Sequence, residues 1–175
     1  MKKIISFFVG ILTLCCSVQV SGADLKLYAK SAVLMEAESG EILYGRSEKK
    51  KMPNASTTKI MTCLYILEHC DLEEKAKVSK NAASQPQVRL GVREGESYKV
   101  KDLLYGLMLE SYNDCAVVLA EHAEGSVEKF ESKINAEAKK LGAKSTHFVS
   151  PNGLDASDKG GSHRTTAYDL ALMMR

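Results

Sequence analysis

The sequence predicts an α+β domain in which a cluster of helices packs on an antiparallel sheet. Two observations predict this class. Residues 31–46 have the pattern of a β-hairpin, and amphipathic or apolar stretches of helical length dominate the chain from residue 56 onwards. With 175 residues, 45% hydrophobic and 26% charged, the chain is long enough for one domain with a substantial core.

The N-terminus has the pattern of a secretory signal. Lys2 and Lys3 precede an apolar run over residues 4–20, and the small residues Ser-Gly-Ala that follow suit a signal peptidase. The run is too short, and too soon followed by that cleavage site, to favour a membrane anchor. We therefore expect residues 1–23 to be a signal peptide that directs export to the cell envelope, and residues 24–175 to form the domain.

Charge and cysteine content exclude several kinds of partner. Removing the two signal-peptide lysines leaves Lys+Arg at 24 − 2 = 22 against 22 Asp+Glu, so nothing indicates a nucleic-acid or anionic-membrane partner. Cys63 and Cys70 would lie roughly 10 Å apart along a helix, which is too far for a disulfide. Together with Cys115 we expect them to be buried free thiols, and no Cys/His spacing predicts a metal or a cofactor.

The hairpin comes first among the elements. Residues 32–35 and 41–44 are its strands, and Gly40 stands where the turn requires a positive φ. A helix is expected from Ser56 to about His69, apolar on nearly every face and therefore buried.

Ser56 and Lys59 would share one face of that helix, a turn apart. A lysine in a buried interface must be paired or lose its proton readily, and a neutral lysine beside a hydroxyl is a base beside a nucleophile. A helix cap followed by an outward-pointing lysine is the commoner meaning of this spacing when it stands alone.

The remaining elements follow from turn and cap signals. Residues 71–101 are expected to form a small lobe of loops and short strands, with alternating segments at residues 87–90 and 98–100. Asp102 is expected to cap a helix that ends at residue 109. Helical pattern resumes at residues 115–122. Two more helices are indicated, one between the cap Ser126 and the stop Gly142 with Val127, Phe130, Ile134 and Leu141 on one stripe, and one opening at the capping box of Thr166 and Asp169.

A second polar pair lies in the break between two helices, where Ser111 and Asn113 can project into a cleft. This pair and Ser56-x-x-Lys59 resemble the first two of the three motifs of serine β-lactamases and penicillin-binding proteins. Segments 55–62, 111–114, 148–154 and 163–170 resemble, in order, those of the D-alanyl-D-alanine carboxypeptidases, the low-molecular-mass penicillin-binding proteins. The resemblance implies a β-lactamase/transpeptidase-like fold.

The resemblance also implies roles by position. Ser56 would be the nucleophile that forms an acyl-enzyme with the penultimate D-alanine, and Lys59 would take its proton. Ser111 would relay a proton to the leaving D-alanine, and Asn113 would bind the substrate backbone. The implied partners are peptidoglycan stem peptides ending in D-Ala-D-Ala and β-lactam antibiotics, without a metal or cofactor.

The chain departs from the family pattern in two places. Tyr112 stands where the family has glycine, and we expect it to narrow the cleft. No Lys-Thr-Gly occurs in the sequence, and Lys159-Gly160-Gly161 is expected in a loop. We therefore expect an N-terminal part of the domain in which the later sheet strands are missing, an apolar strand edge is left open, and the 175 residues alone have little or no activity.

Two other functions stay open from the sequence. A serine β-lactamase shares the first motifs, although no Glu-containing deacylation segment stands out. A non-catalytic peptidoglycan-binding fragment could retain the first half of the fold. An exported globular domain with accidental motifs is the least specific alternative.

Overall fold

The computed structural model describes residues 26–175, so the expected signal peptide lies outside the described residues. Its helices, after a 3-10 turn at Ala55–Thr57, are α1 Thr58–His69, α2 Lys80–Ala83, α3 Val100–Leu109, α4 Asn113–Glu124, α5 Val127–Lys140 and α6 Ala167–Met174. Its strands are β1 Ala32–Met35, β2 Ile42–Arg46, β3 Lys75–Lys77, β4 Ser97–Lys99, β5 Ser157–Asp158 and β6 Gly161–Ser162.

The predicted hairpin is confirmed. Strands β1 and β2 pair antiparallel with Leu34 opposite Tyr44, and Gly40 adopts φ +76° in the turn between them. The sheet is thinly covered within the described part of the chain, because Leu34 and Leu43 are 56% and 58% exposed. Apolar side chains are therefore exposed on this pair of strands, and the open strand edge stays a prediction.

Helix α1 is central to the helical cluster and contacts α3, α4, α5 and α6. Met61 and Ile66 of α1 are fully buried, as the apolar pattern predicts. On α5 the predicted Phe130 and Ile134 are buried together with Ala138, and Val127 packs against the core while partly buried. Leu141 does not belong to this stripe, because it lies past the last turn of α5 and remains 38% exposed.

Asp102 does not cap α3, contrary to prediction. The helix begins at Val100, directly after β4 and three residues before the expected residue 103, and the fully buried Val100 donates its N–H to the Glu74 carbonyl oxygen. Asp102 lies in the first turn instead, where its charge suits the positive end of the helix dipole. Helix α4 likewise begins earlier than expected, at Asn113.

The small lobe is built differently from the sequence prediction. Strand β4 lies close to the expected segment, but its partner is β3, whose Lys-Ala-Lys sequence carries little strand signal. Residues 87–90 form no strand; they belong to a loop that returns to α4. Within the described residues no helix has the length and apolar character needed to cross a membrane.

Candidate active site

Lys59 is the centre of a compact polar cluster. Its Nζ atom donates to Ser56 Oγ at 3.2 Å, to Ser111 Oγ at 3.1 Å and to Asn113 Oδ1 at 2.9 Å. The lysine side chain is buried, with 2% of the residue exposed, whereas Ser56 faces solvent. The structure thus brings together all four residues that the sequence singled out, from α1, the α3–α4 turn and the start of α4.

Burial changes the chemistry of this amine. Desolvation lowers the pKa of Lys59 to about 8, since its three partners are neutral oxygens that do not compensate a buried charge. At pH 7 about one lysine in ten is then neutral and able to accept a proton. A free amine within hydrogen-bond reach of two hydroxyls is a suitable general base.

Each of the two serines depends on an uncommon backbone conformation. Ala55, immediately before Ser56, has φ +43°, and Ser111 itself has φ +59°. Residues with a Cβ rarely adopt this left-handed region, and such strain persists only where surrounding contacts enforce it. Ala55 is the first residue of the 3-10 turn that carries Ser56.

Asn113 joins the lysine to the small lobe. While its Oδ1 accepts from Lys59, its Nδ2 donates to the Pro86 carbonyl at 3.2 Å and its backbone N–H donates to the Val88 carbonyl at 2.8 Å. The loop containing Pro86 and Val88 therefore forms one side of the site.

Asp114 fixes the rest of that loop. Its carboxylate, 1% exposed, accepts the backbone N–H groups of Leu90, Gly91 and Val92 at 2.8–3.2 Å. A buried carboxylate is stable only with such donors, so Asp114 acts as the anchor of the loop. Sequence reasoning quoted this residue in a motif but assigned it no role.

Tyr112 is taken up by packing against α3. A Cβ built on Gly106 would lie 3.1 Å from Tyr112 Cδ2 and 3.0 Å from Cys115 Sγ, so the ring occupies space that a glycine in the helix provides. The ring therefore packs on α3, and the narrowing of the cleft by Tyr112 stays a prediction. Cys115 is buried as predicted, whereas Cys63 and Cys70 are only partly buried.

Segment 148–154 packs against the turn that carries Ser56. Gly153 adopts φ +86°, and a Cβ there would lie 1.8 Å from the Ala55 carbonyl oxygen. Thr62 of α1 donates to the Pro151 carbonyl at 2.7 Å. Only glycine can lie this close to the Ala55 carbonyl oxygen. The sequence indicates a turn here, but no pattern in it predicts this contact.

Two further residues near Ser56 were missed by sequence reasoning. Thr58 and His163 are buried and lie in contact, with Thr58 Oγ1 2.7 Å from His163 Nε2. They are 105 residues apart in the chain, so neither local spacing nor composition links them.

Lys159 and Gly160 lie in the exposed tip between β5 and β6, where they were expected. In residues 26–175 no group of three or more His, Cys, Asp or Glu side chains is arranged to hold a metal ion.

Comparison with known proteins identifies the family. A family model described as D-alanyl-D-alanine carboxypeptidase, peptidase family S11, matches residues 17–175. The carboxypeptidase DacF of Bacillus subtilis is 39% identical over 158 residues, which cover 87% of this chain and 40% of DacF. DacB2 of Mycobacterium tuberculosis is 39% identical over 148 residues, covering 84% of this chain and 50% of DacB2. The chain thus spans half or less of the length of these two relatives.

Solved structures agree on the fold. A D-alanyl-D-alanine carboxypeptidase from M. tuberculosis superposes with a TM-score of 0.77 at 36% identity, covering 83% of this chain and 54% of that one. Penicillin-binding protein D2 of Listeria monocytogenes, in its ampicillin-bound form, gives 0.73 at 34% identity, covering 86% and 62%. Since the family model matches nearly the whole sequence, this chain belongs to the D-alanyl-D-alanine carboxypeptidase family.

Proposed function

We propose that this chain carries the nucleophile and the general base of a serine-type D-Ala-D-Ala carboxypeptidase that acts on peptidoglycan stem peptides. One observation carries the proposal: the buried amine of Lys59 lies within 3.2 Å of the hydroxyls of both Ser56 and Ser111. Membership of the carboxypeptidase family supplies the reaction class.

The first half of the reaction forms an acyl-enzyme. Neutral Lys59 accepts the proton of Ser56 as Oγ attacks the carbonyl carbon of the penultimate D-alanine. The Ser56 N–H, at the start of a helical turn, is placed to stabilise the oxyanion of the tetrahedral intermediate. Because the Lys59 amine is desolvated, its protonated form is stabilised only once negative charge develops on the tetrahedral intermediate beside it.

The second half releases the products. Collapse of the intermediate breaks the peptide C–N bond, and Ser111 passes a proton, replenished from protonated Lys59, to the nitrogen of the departing D-alanine. Asn113 orients Lys59 and the substrate backbone. Water then hydrolyses the ester, which regenerates the Ser56 hydroxyl and frees the shortened stem peptide.

The same site would accept β-lactams, because their strained amide presents an acyl carbon to Ser56. The structure of penicillin-binding protein D2 in an ampicillin-bound form supports this partner by homology. We also propose that residues 1–23 direct export, which would bring the site to the cell envelope where stem peptides occur.

Turnover by the 175 residues alone should be low. The third family motif, Lys-Thr-Gly, is not in the sequence, and by resemblance it supplies the far wall of the cleft and the contacts to the terminal carboxylate of the substrate. The reactivity of Ser56 is therefore best tested with a small reagent that does not depend on the contacts supplied by Lys-Thr-Gly.

The test compares a small activated ester, 4-nitrophenyl acetate, with a fluorescent penicillin on the purified chain and on Ser56→Ala. We expect a mass increase of one acetyl group at Ser56 with the ester, little penicillin label, and neither adduct in the variant. A folded chain that gains no Ser56-dependent adduct with either reagent would refute the proposal.

Two outcomes would point to the alternatives. Multiple-turnover penicillin hydrolysis that exceeds release of D-alanine from a stem peptide would indicate a β-lactamase. Equal binding to cell-wall sacculi by the wild type and Ser56→Ala, without an adduct, would indicate a non-catalytic peptidoglycan-binding role.

A further inference from the structure

His163 has both ring nitrogens engaged in the interior. The residue is 2% exposed and lies between β6 and α6. The backbone N–H of Val149 donates to Nδ1 at 2.9 Å, and Nε2 lies 2.7 Å from Thr58 Oγ1. Because Nδ1 accepts a hydrogen bond, the ring proton must be on Nε2, which therefore donates to the threonine hydroxyl.

The Thr58 hydroxyl is fully used in this arrangement. It accepts from His163 Nε2 and from Asn54 Nδ2 at 2.7 Å, and it donates to the Ala55 carbonyl at 2.8 Å. A hydroxyl offers one donor and two acceptor positions, so neutral His163 with its proton on Nε2 is the form that satisfies both the Thr58 hydroxyl and the Val149 N–H. Losing one of these buried hydrogen bonds would leave a polar atom without a partner, which is costly in a buried network.

The Thr58 hydroxyl in turn binds Ala55, the residue before Ser56. Ala55 holds its left-handed conformation with its carbonyl bound to Thr58 on one side and packed over Gly153 on the other. Strained backbone requires such restraint, and an error of about 1 Å in a nucleophile can lower a rate by about two orders of magnitude.

We propose that neutral His163 is a positioning residue that, through Thr58 and the Ala55 carbonyl, holds the turn carrying Ser56 in its reactive geometry. The inference rests on the proposed role of Ser56 as the nucleophile. It assigns His163 no contact with substrate and no proton of the reaction.

Protonation would break the arrangement. A proton on Nδ1 would face the Val149 N–H, so one hydrogen bond would be replaced by two opposed donors. Burial lowers the pKa of His163, while the charge of nearby Asp155 opposes and that of His147 adds to this effect. Ser56 should therefore lose reactivity in acid for a reason separate from the titration of Lys59.

Two substitutions separate the two halves of the ring. In His163→Gln the amide nitrogen reaches about as far as Nε2, which keeps the donor to Thr58 and removes the titration. In His163→Asn the amide oxygen can replace Nδ1 as the acceptor for Val149, but the donor to Thr58 is lost. His147→Gln is the matched control, since His147 is less buried and bonds Asp158 instead.

The rate of Ser56 acetylation by 4-nitrophenyl acetate is then measured against pH. We expect His163→Asn to react at least about tenfold more slowly at pH 7, and His163→Gln to stay close to wild type. In acid the slope of log rate against pH should steepen from about one to about two in the wild type and in His147→Gln, and remain about one in His163→Gln. Equal rates and equal slopes in all four proteins would overturn the inference.

A second measurement is independent of reactivity. In uniformly ¹⁵N-labelled chain, NMR should show the Nε2–H form of His163, and titrating this ring should move the amide signals of Ala55 and Ser56 in wild type but not in His163→Gln. An Nδ1–H form of His163, or Ala55 and Ser56 amide signals that do not shift during the titration, would overturn the inference even if Ser56 is reactive. If the wild type shows the expected NMR response but no Ser56 acetylation, only the proposed function would be refuted.

Discussion

The two serines that meet at Lys59 are presented by turns of different construction. The nucleophile turn, residues 53–58, and the Ser111 turn, residues 110–113, both contain a non-glycine residue in the left-handed region, at φ +43° and +59°. Both place a hydroxyl within 3.2 Å of the same amine. What restrains them differs.

The nucleophile turn is held by polar side chains and one close backbone approach from segments about 100 residues away, His163 and Gly153. The Ser111 turn is held by its immediate sequence neighbours, with Tyr112 packed over Gly106 and Asp114 binding the loop at residues 90–92. The first turn therefore depends on the whole domain being folded, and the second mainly on two helices and their loop.

Lys59→Met should have the largest effect and should disable both turns together. Without the general base we expect Ser56 acetylation to slow by about three orders of magnitude. The free energy of unfolding should change little, because a buried lysine of low pKa contributes no paired charge. Stopped-assay mass spectrometry and urea melts measure the two quantities; Lys51→Met, at an exposed position, is the control. A reactive Lys59→Met chain would contradict the proposed base.

Gly153→Ala should break the nucleophile turn alone. The new Cβ would overlap the Ala55 carbonyl oxygen and force a positive φ on alanine, so we expect a loss of about 3 kcal/mol in the free energy of unfolding. Gly91→Ala has a similar φ of +88° with open space around it, and isolates the conformational part. If both variants melt alike, the close approach has no energetic weight.

Asp114→Ala should loosen the other side of the site. Removing the carboxylate leaves the backbone N–H groups of residues 90–92 without their acceptor, for a loss of about 2 kcal/mol. Hydrogen exchange should rise in that loop and not around Ala55. Asp102→Ala, at an exposed position of α3, should be nearly neutral. Uniform exchange changes across both turns would contradict their independence.

Raising the pH should sharpen the comparison by acting on the shared amine. With the pKa of Lys59 at about 8, the neutral fraction and the acetylation rate should rise about tenfold between pH 7 and pH 9. In the folded chain the pKa of Lys59 lies below its ordinary value of 10.5, so between about pH 8 and pH 10.5 the unfolded chain binds more protons than the folded one. The free energy of unfolding should therefore also rise over this pH range. A flat rate profile would place the base elsewhere.

Gly106→Ala should have the smallest effect. Its Cβ would lie 3.0 Å from Cys115 Sγ and 3.1 Å from the Tyr112 ring, a crowding that costs about 1 kcal/mol. In the Tyr112→Ala background the same substitution should cost less, which a double-mutant cycle of urea melts detects. If the losses in the free energy of unfolding are additive, the Tyr112 ring and residue 106 do not interact.

Local sequence signals predicted much of this structure. Gly40 placed the hairpin, and Ser126 and Thr166 each accept the N–H three residues ahead, as N-caps do. The i,i+3 spacing placed Ser56 and Lys59 on one face. These features succeeded because each depends on a few consecutive residues.

Features that depend on distant partners were not predicted. Strand β3 has weak propensity and exists because β4 pairs with it; α3 begins at Val100 because that side chain is buried against the lobe. The contacts of Thr58 with His163 and of Ala55 with Gly153 come from folding, and a single sequence carries no periodic trace of them. The roles of Ser56, Lys59, Ser111 and Asn113 remain predictions from resemblance, to which the structure adds their proximity.

The left-handed alanine at position 55 has a consequence for laboratory evolution of this protein. Glycine there would relieve about 1 kcal/mol of backbone strain, and so would glycine at Ser111, although the latter deletes the hydroxyl that accepts from Lys59. A screen that rewards heat resistance alone would thus favour exchanges that loosen the turn carrying Ser56 or remove the Ser111 hydroxyl. Libraries built on this scaffold need a chemical selection alongside the thermal one.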